Sequence, residues 1–193
     1  MNLRLPSRIE AWQRLQKADP DAWVLRHCRA VEGLAVAMAD RAVAQGLRVD
    51  ADLVARGALL HDIGRAETHD LRHAYLGADL LRSDPQPEAL ALVVERHTGA
   101  GLTPPEAAAA GLPDRIFVPT TLEQRIVAHA DNLYSGDKRL DLAHVEGKYR
   151  AKDFPEAWAR IEALHGELCD LLDCDLEALE PARLPDLPGA TEP

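Results

Sequence analysis

The feature that most constrains the fold of this 193-residue chain is helical periodicity. Apolar residues recur at intervals of three and four along successive segments, and no segment alternates with period two over a useful length. Alanine and leucine dominate the apolar residues, and only 4% of the residues are aromatic, a composition that favours helices. The pattern predicts one all-α domain, a compact bundle of about six to eight helices.

Capping residues and helix breakers indicate where these helices begin and end. Ser7 and Glu10 form a capping box for a short first helix, which the Asp19-Pro20 step ends. Thr120 and Glu123 form a second such box, and Gly46 and Gly64 suit positions just after a helix end. The expected later helices are 21–45, 51–63, 70–82, 87–97, 120–133 and 155–172, with one turn in 104–110 and no assignment for 134–153.

Two further segments stand outside this helical pattern. The connection 98–119 is long for a compact domain, and such connections are often functional, so we expect a lid. The tail after the last helix is rich in proline and acidic residues, and we expect it to be poorly ordered at its end. The expected domains are therefore 1–175, the helical domain, and 176–193, a C-terminal tail.

Charge and cysteine content limit the partners. A net charge of −10 disfavours a large contact with long nucleic acid and leaves room for a small anionic substrate in a locally basic pocket. No apolar run is long enough to span a membrane, and the N-terminus lacks a signal-peptide pattern. Three cysteines, an odd number without zinc-knuckle spacing, fit reduced thiols, so we expect a cytoplasmic protein without membrane contact. The oligomeric state is left open.

The sequence Leu-Leu-His-Asp-Ile-Gly at 59–64 places an imidazole and a carboxylate at the end of an apolar run. His61 and Asp62 would point about 100° apart on a helix, so they would bond poorly to each other but could bind one cation from two sides. Burying such a polar pair is costly unless a partner such as a metal ion satisfies it. The dipeptide alone is weak evidence, and its weight depends on ligands elsewhere in the chain.

Helical phase identifies those ligands. His27, His61, His97 and Asp131 each lie on an apolar, inward-facing stripe of a different expected helix. Four inward ionisable groups are hard to explain as separate core residues, because a buried carboxylate needs a cation or several donors. His129 projects away from Asp131 and is interpreted as structural. His69 and His73, four residues apart, would face the same way if their helix already includes His69.

The order His27, His61-Asp62, Asp131 on consecutive helices resembles the HD-domain metal-dependent phosphohydrolase superfamily over about residues 20–140. The strings GALLHDIGR, HAYLGADLL, VVERHTGAG and EQRIVAHADNL are similar to its HDIG and second-metal segments. Together with GLPD they resemble a small stand-alone group of HDIG proteins. A Gly-Tyr-Pro sequence does not follow His97, which disfavours cyclic-di-GMP hydrolysis.

The resemblance implies roles for individual residues. His27, His61, Asp62 and Asp131 would hold a first divalent ion, and Asp62 could bridge to a second ion bound by His73 and His97. Arg96 stands where the relatives with two metals have a further histidine, which leaves the second site one ligand poorer, and His69 is a candidate replacement. Arg65 would clamp the substrate phosphate, with a surface arginine at the helix end as the alternative interpretation. Lys138 and Arg139 are weaker candidates for binding substrate.

The chemistry implied is hydrolysis of a nucleotide-like phosphomonoester or phosphodiester, such as a nucleoside monophosphate or a 2′,3′-cyclic phosphate. Mixed histidine and carboxylate ligands suit Mn²⁺, Fe²⁺, Co²⁺, Ni²⁺ or Zn²⁺, and such an ion activates a bound water. Two alternatives remain open, namely a mixed-valent di-iron oxygenase and a non-catalytic sensor of metal or nucleotide.

Overall fold

The computed structural model describes residues 4–84 and 86–189, and helices dominate both stretches. The all-α prediction is confirmed, although the described residues form nine α-helices rather than six to eight. The helices are α1 Arg8–Lys17, α2 Ala22–Ala44, α3 Ala51–Leu60, α4 His73–Arg82, α5 Glu88–Glu95, α6 Pro104–Ala109, α7 Leu122–Asn132, α8 Leu142–Ala151 and α9 Pro155–Leu172.

The N-terminal caps agree with the sequence in one case and differ in another. Ser7 and Glu10 form the expected box on α1. On α7 the box is one residue later than predicted, because the Thr121 hydroxyl accepts from the N–H of Gln124. Glu123, freed from capping, instead accepts a hydrogen bond from the backbone N–H of Asp50 and so ties α7 to the start of α3.

Three helices are shorter than predicted where they approach the inward histidines. The segment expected to be helical to residue 63 ends at Leu60 and continues, after His61 and Asp62, as a 3₁₀ turn at Ile63–Ala66. Helix α5 ends at Glu95, before His97, and α4 begins at His73 rather than at 70. His69 therefore precedes α4, so the condition under which His69 and His73 would face the same way is not met.

The segment left unassigned by the sequence contains a hairpin and a helix. Strands β1 (Tyr134–Ser135) and β2 (Lys138–Arg139) pair antiparallel, with Tyr134 opposite Arg139. Gly136 makes the turn with a positive φ of 59°, a conformation that costs glycine little. Helix α8 follows, and its only buried residue is Val145, so it carries too narrow an apolar stripe to be recognised from periodicity.

Helix α2 is the central element of the core and packs against α3 and α7, while α4 packs on α5. Gly57 of α3 permits a close approach to α5, since a Cβ at this position would lie 2.4 Å from Cγ1 of Val93. The result is that the ends of α3, α4, α5 and α7 meet on one side of α2.

The long connection 98–119 is ordered and has its own small apolar cluster around Phe117, separate from the main core. Within the connection, Arg115 forms ion pairs with Asp79 and Glu95, and Glu106 forms an ion pair with Arg160 of α9. Burial opposes the charge of Glu106, but the backbone N–H of Thr103 and the guanidinium of Arg160 hold the pKa of Glu106 below its usual range. The connection is thus held to the rest of the fold by ion pairs at Glu106 and Arg115.

The C-terminal tail is packed as far as residue 189. Leu187 is buried, the indole N–H of Trp12 donates to the carbonyl of Pro188, and the N–H of Ala182 donates to Gly33. The expectation that the tail is poorly ordered at its end falls on residues 190–193, which lie outside the described residues. Along the described part of the chain, no helix is both long and apolar enough to cross a membrane.

Candidate metal centre

The inward histidines meet in two pairs. The Nε2 atoms of His27 and His61 lie 3.1 Å apart, and those of His73 and His97 also lie 3.1 Å apart. All four side chains are buried. The two pairs lie on either side of Asp62, whose carboxylate oxygens are 3.2–3.6 Å from the four Nε2 atoms.

The other nitrogen of every ring bonds to the backbone. Nδ1 of His61, His73 and His97 lies 2.5–2.7 Å from the carbonyl oxygen three residues earlier, and Nδ1 of His27 lies 2.7 Å from the carbonyl of Gly136. A carbonyl oxygen can only accept, so each Nδ1 carries the hydrogen, and each neutral ring presents an Nε2 lone pair. Such a backbone partner is usual for a histidine that binds metal.

The early helix ends explain why these carbonyls are free. Ala58 lies in the last turn of α3 and Val94 in the last turn of α5, and the last four carbonyls of a helix have no partner within it. His61 and His97 follow those ends and take up the free carbonyls. A helix continued through residue 63 would have used the Ala58 carbonyl internally, so the shortened helix orients His61 toward the cluster.

Glycine brings the second pair up to Asp62. A Cβ on Gly64 would lie 2.0 Å from the carbonyl oxygen of His73 and 2.6 Å from the N–H nitrogen of Gly77, and both contacts are to backbone atoms. Only a glycine-to-glycine contact lets the 3₁₀ turn and α4 approach this closely. The glycine of the His-Asp-Ile-Gly string thus sets the position of His73.

The geometry calls for a cation. Two Nε2 lone pairs at 3.1 Å repel each other unless a positive charge lies between them. Oδ1 of Asp62 is buried with no hydrogen-bond partner among the described residues, an arrangement that is costly without a ligand. Two sets of atoms could each hold one ion: His27, His61 and Asp131, and His61, Asp62 and His97.

The pKa shifts agree with this charge requirement. Burial opposes ionisation of Asp62, yet the surrounding histidines hold the pKa of Asp62 well below its usual range. Burial likewise opposes ionisation of Asp131, yet the neighbouring rings of His27 and His61 hold the pKa of Asp131 below its usual range. Burial disfavours the charged form of His61, but the Asp62 carboxylate outweighs it and raises the pKa of His61. The cluster therefore attracts positive charge.

The structure brings together all six residues predicted to bind metal. Asp131 is half-buried, and its Oδ1 lies 2.9 Å from Nε2 of His27. His129 lies elsewhere, as expected. It is fully buried beside His165, with 2.9 Å between their ring nitrogens.

The predicted substrate-binding residues divide into two groups. Arg65 lies at the cluster, with its Nε 2.5 Å from Oδ2 of Asp62 and its guanidinium over the ring of Trp23. Arg65 and His69 both line a small cavity next to the cluster. Nε2 of His69 lies 3.3 Å from Oδ2 of Asp21. Lys138, in contrast, is an exposed residue of β2 that lines none of the cavities next to the cluster.

Arg139 is likewise turned away from the cluster. Its guanidinium lies over the ring of Tyr134 and donates to the carbonyl of Leu176. No sequence pattern indicated that Thr98, Lys148 and Tyr149 belong to the site. They line a larger cavity beside Asp131. Two of these lie on α8, the helix that periodicity did not reveal.

Comparison with known proteins agrees with the fold. The HD domain family matches residues 24–136, more than half of the chain. The chain therefore belongs to the HD-domain family, as its sequence strings indicated.

Two relatives and one solved structure are similar over most of the chain. An uncharacterised protein of Methanocaldococcus jannaschii is 45% identical over 152 residues, 77% of this chain and 89% of that protein. A tRNA (cytidine(56)-2'-O)-methyltransferase of Thermoplasma volcanium is 42% identical over 175 residues, 91% of this chain and 50% of that protein. This chain thus spans about half the length of the methyltransferase.

The solved structure is the HD domain of the L. monocytogenes phosphodiesterase PgpH in complex with cyclic-di-AMP. It superposes with a TM-score of 0.55 at 19% identity, over 91% of this chain and 99% of that one. At this level of identity the similarity concerns the fold, which is an HD-type helical bundle in both proteins.

Proposed function

We propose that this chain is a metal-dependent phosphohydrolase that hydrolyses a nucleotide-like phosphomonoester or phosphodiester. The observation that carries the proposal is the pair of facing Nε2 lone pairs on each side of Asp62. The HD-domain family and the PgpH fold support the same class of reaction. The chain spans about half the length of the methyltransferase relatives, and methyl transfer is not part of this proposal.

In this proposal His27, His61, Asp62 and Asp131 hold one divalent ion, and Asp62, His73 and His97 hold a second. Nitrogen and oxygen ligands together suit Mn²⁺, Fe²⁺, Co²⁺, Ni²⁺ or Zn²⁺ better than Ca²⁺ or Mg²⁺. When bound, such ions lower the pKa of a water ligand and neutralise charge on phosphoryl oxygens.

The protein groups supply orientation and charge. The backbone carbonyls fix the histidine rings, so their ligand nitrogens need no rearrangement. Arg65 uses Nε on Asp62 and one terminal N–H group on the carbonyl of His69. The side chain lines the small cavity, where its remaining N–H groups can bind phosphoryl oxygens. The same guanidinium lies over the ring of Trp23, 5.7 Å from its centroid.

The experiment combines metal analysis with a panel of substrates. Purified protein should retain a transition metal and hydrolyse members of a panel of nucleoside monophosphates, dinucleotides and 2′,3′-cyclic phosphates after loading with Mn²⁺. His61→Gln should lose the first ion and the activity. His144→Gln is the matched control, because His144 is exposed on α8 and pairs with Asp141.

The outcomes separate the alternatives. Protein that binds no transition metal and shows no metal-stimulated hydrolysis contradicts the proposal and favours a sensor. Iron-dependent oxygen consumption in place of hydrolysis favours the oxygenase. Full activity in His61→Gln excludes the proposed metal mechanism.

A further inference from the structure

A large apolar cavity continues from the metal centre and has no part in the function proposed above. Its volume is about 570 Å³, within the range of about 300–1,000 Å³ typical of small-molecule pockets. It shares Leu71, Thr98 and Asp131 with the small cavity that contains Arg65, His73 and His97. A molecule with one end at the metal centre can therefore place its other end here.

The walls of this cavity, which we call the α8 cavity, come mainly from three parts of the fold. They are the connection 98–119, helix α8 and the start of α9, and the apolar residues among them include Leu102, Ala109, Ala110, Val145, Phe154 and Ile161. Phe154 is 55% exposed, so an aromatic ring is available at the mouth for stacking on a planar group.

Thr98 is the clearest sign that a polar group enters. It lies where the two cavities meet, and its buried hydroxyl has no hydrogen-bond partner among the described residues. A buried hydroxyl without a partner is costly, because it has lost its hydrogen bonds to water. A phosphate oxygen of a bound substrate would satisfy it.

Two lysines give the same wall a positive charge. Lys148 and Lys152 both line the cavity, and neither forms an ion pair with a carboxylate in the described part of the chain. Burial lowers the pKa of Lys148, and the charge of Asp131 acts against that change. Unpaired lysines beside an apolar cavity, in a chain of net charge −10, suit an anionic ligand with an apolar body.

This inference rests on the proposed function and defines its substrate. We propose that the α8 cavity receives the leaving group of the phosphoester, and that this group is of nucleoside size and carries a second phosphate. Thr98 contacts the phosphate that reacts, and Lys148 and Lys152 contact the second one. During hydrolysis a water oxygen bonds to phosphorus, the bond to the leaving-group oxygen breaks, and that oxygen takes a proton from solvent.

The test fills the cavity without touching the metal centre. Ala109 is exposed on α6 and lines the α8 cavity, whereas its neighbour Ala108 is exposed on the same helix and does not line it. Ala109→Trp should lower kcat/KM for the dinucleotide pApA by about tenfold or more, while p-nitrophenyl phosphate, with its small leaving group, changes by about twofold at most. Ala108→Trp is the control and should change neither.

Lys148→Ala and Thr98→Val test the polar contacts. Each should raise KM for pApA by about tenfold and leave the thermal midpoint near that of the wild type. Calorimetric titration of pApA into chelator-treated protein gives a readout that does not depend on turnover. Affinity should fall in Ala109→Trp, Lys148→Ala and Thr98→Val but not in Ala108→Trp.

The outcomes distinguish this inference from the function on which it rests. If the protein hydrolyses p-nitrophenyl phosphate while Ala109→Trp binds and hydrolyses pApA like the wild type, the phosphohydrolase stands and the cavity assignment is overturned. If neither ester is hydrolysed but Ala109→Trp still loses pApA affinity, the α8 cavity binds a nucleotide, while the phosphohydrolase proposal and the leaving-group role of the cavity both fail.

Discussion

Substitution of Gly64 tests whether backbone packing positions the second pair of histidines. A Cβ at this position would lie 2.0 Å from the His73 carbonyl oxygen and 2.6 Å from the Gly77 nitrogen. Contacts of a real Cβ stay beyond about 3 Å, so α4 must shift by roughly 1 Å. Because the neighbours are backbone atoms, no side-chain rotation can relieve the overlap.

The expected cost of Gly64→Ala follows from this overlap. Overpacking of a core typically costs about 1–3 kcal/mol, and a backbone-to-backbone overlap belongs at the upper end, about 2–3 kcal/mol. For a chain of this length that is a fall in thermal midpoint of about 4–12 °C. A shift of His73 by roughly 1 Å also removes its Nε2 from the 3.2 Å contact with Asp62, so the second ion is lost.

The assay pairs urea unfolding with metal counting by plasma mass spectrometry. Gly166→Ala is the control, because Gly166 lies in α9 with no atom near an added Cβ. That variant should be more stable by about 0.5–1 kcal/mol, since alanine is the better helix former. A Gly64→Ala protein with wild-type stability and wild-type metal content would refute the packing argument.

Three further substitutions test other parts of the account. Glu106→Gln should lower the free energy of unfolding at pH 7 by about 1 kcal/mol. Because the pKa of Glu106 is lowered in the folded protein, its carboxylate stabilises the fold above the ordinary pKa, and this stabilisation is lost as the pH falls through the folded-state pKa. In urea unfolding, the difference in unfolding free energy between wild type and Glu106→Gln should therefore narrow below about pH 4. The control, Glu162→Gln, should match the wild type at every pH. Leu187→Ala should cost about 2 kcal/mol in urea unfolding if the tail is part of the core, whereas Arg183→Ala should cost nothing measurable. Arg65→Lys should lower kcat/KM for phosphoesters by about tenfold without changing metal content, because lysine lacks the planar fork; unchanged kinetics would exclude the phosphate clamp.

Much of the fold and the site could be predicted from local sequence signals. The capping box at Ser7, the positive-φ turn at Gly46 and the helix opened by Pro155 are determined by neighbouring residues, and the structure agrees with each. Helical phase was sufficient to bring His27 and Asp131 together and to separate His129 from them. These inferences depend only on which face of a helix a residue occupies.

Other features depend on tertiary contacts that no local pattern records. The end of α3 at Leu60 depends on the Ala58 carbonyl bonding to the ring of His61. Helix α8 buries a single residue, Val145, so its apolar spacing is too sparse to recognise. Lys148 could therefore not be placed beside the metal centre, and Lys138, which lies close to Asp131 in sequence, was a candidate that the structure leaves on the surface.

The most direct test of the central claim is anomalous X-ray scattering from crystals of the protein loaded with Mn²⁺. Two anomalous peaks are expected about 3.5–4 Å apart, one on each side of the Asp62 carboxylate. One peak should lie among His27, His61 and Asp131, and the other beside His73 and His97. The absence of any anomalous peak within this cluster would contradict the proposed metal centre. Manganese bound elsewhere, with both Nε2 pairs still about 3.1 Å apart, would contradict it as well.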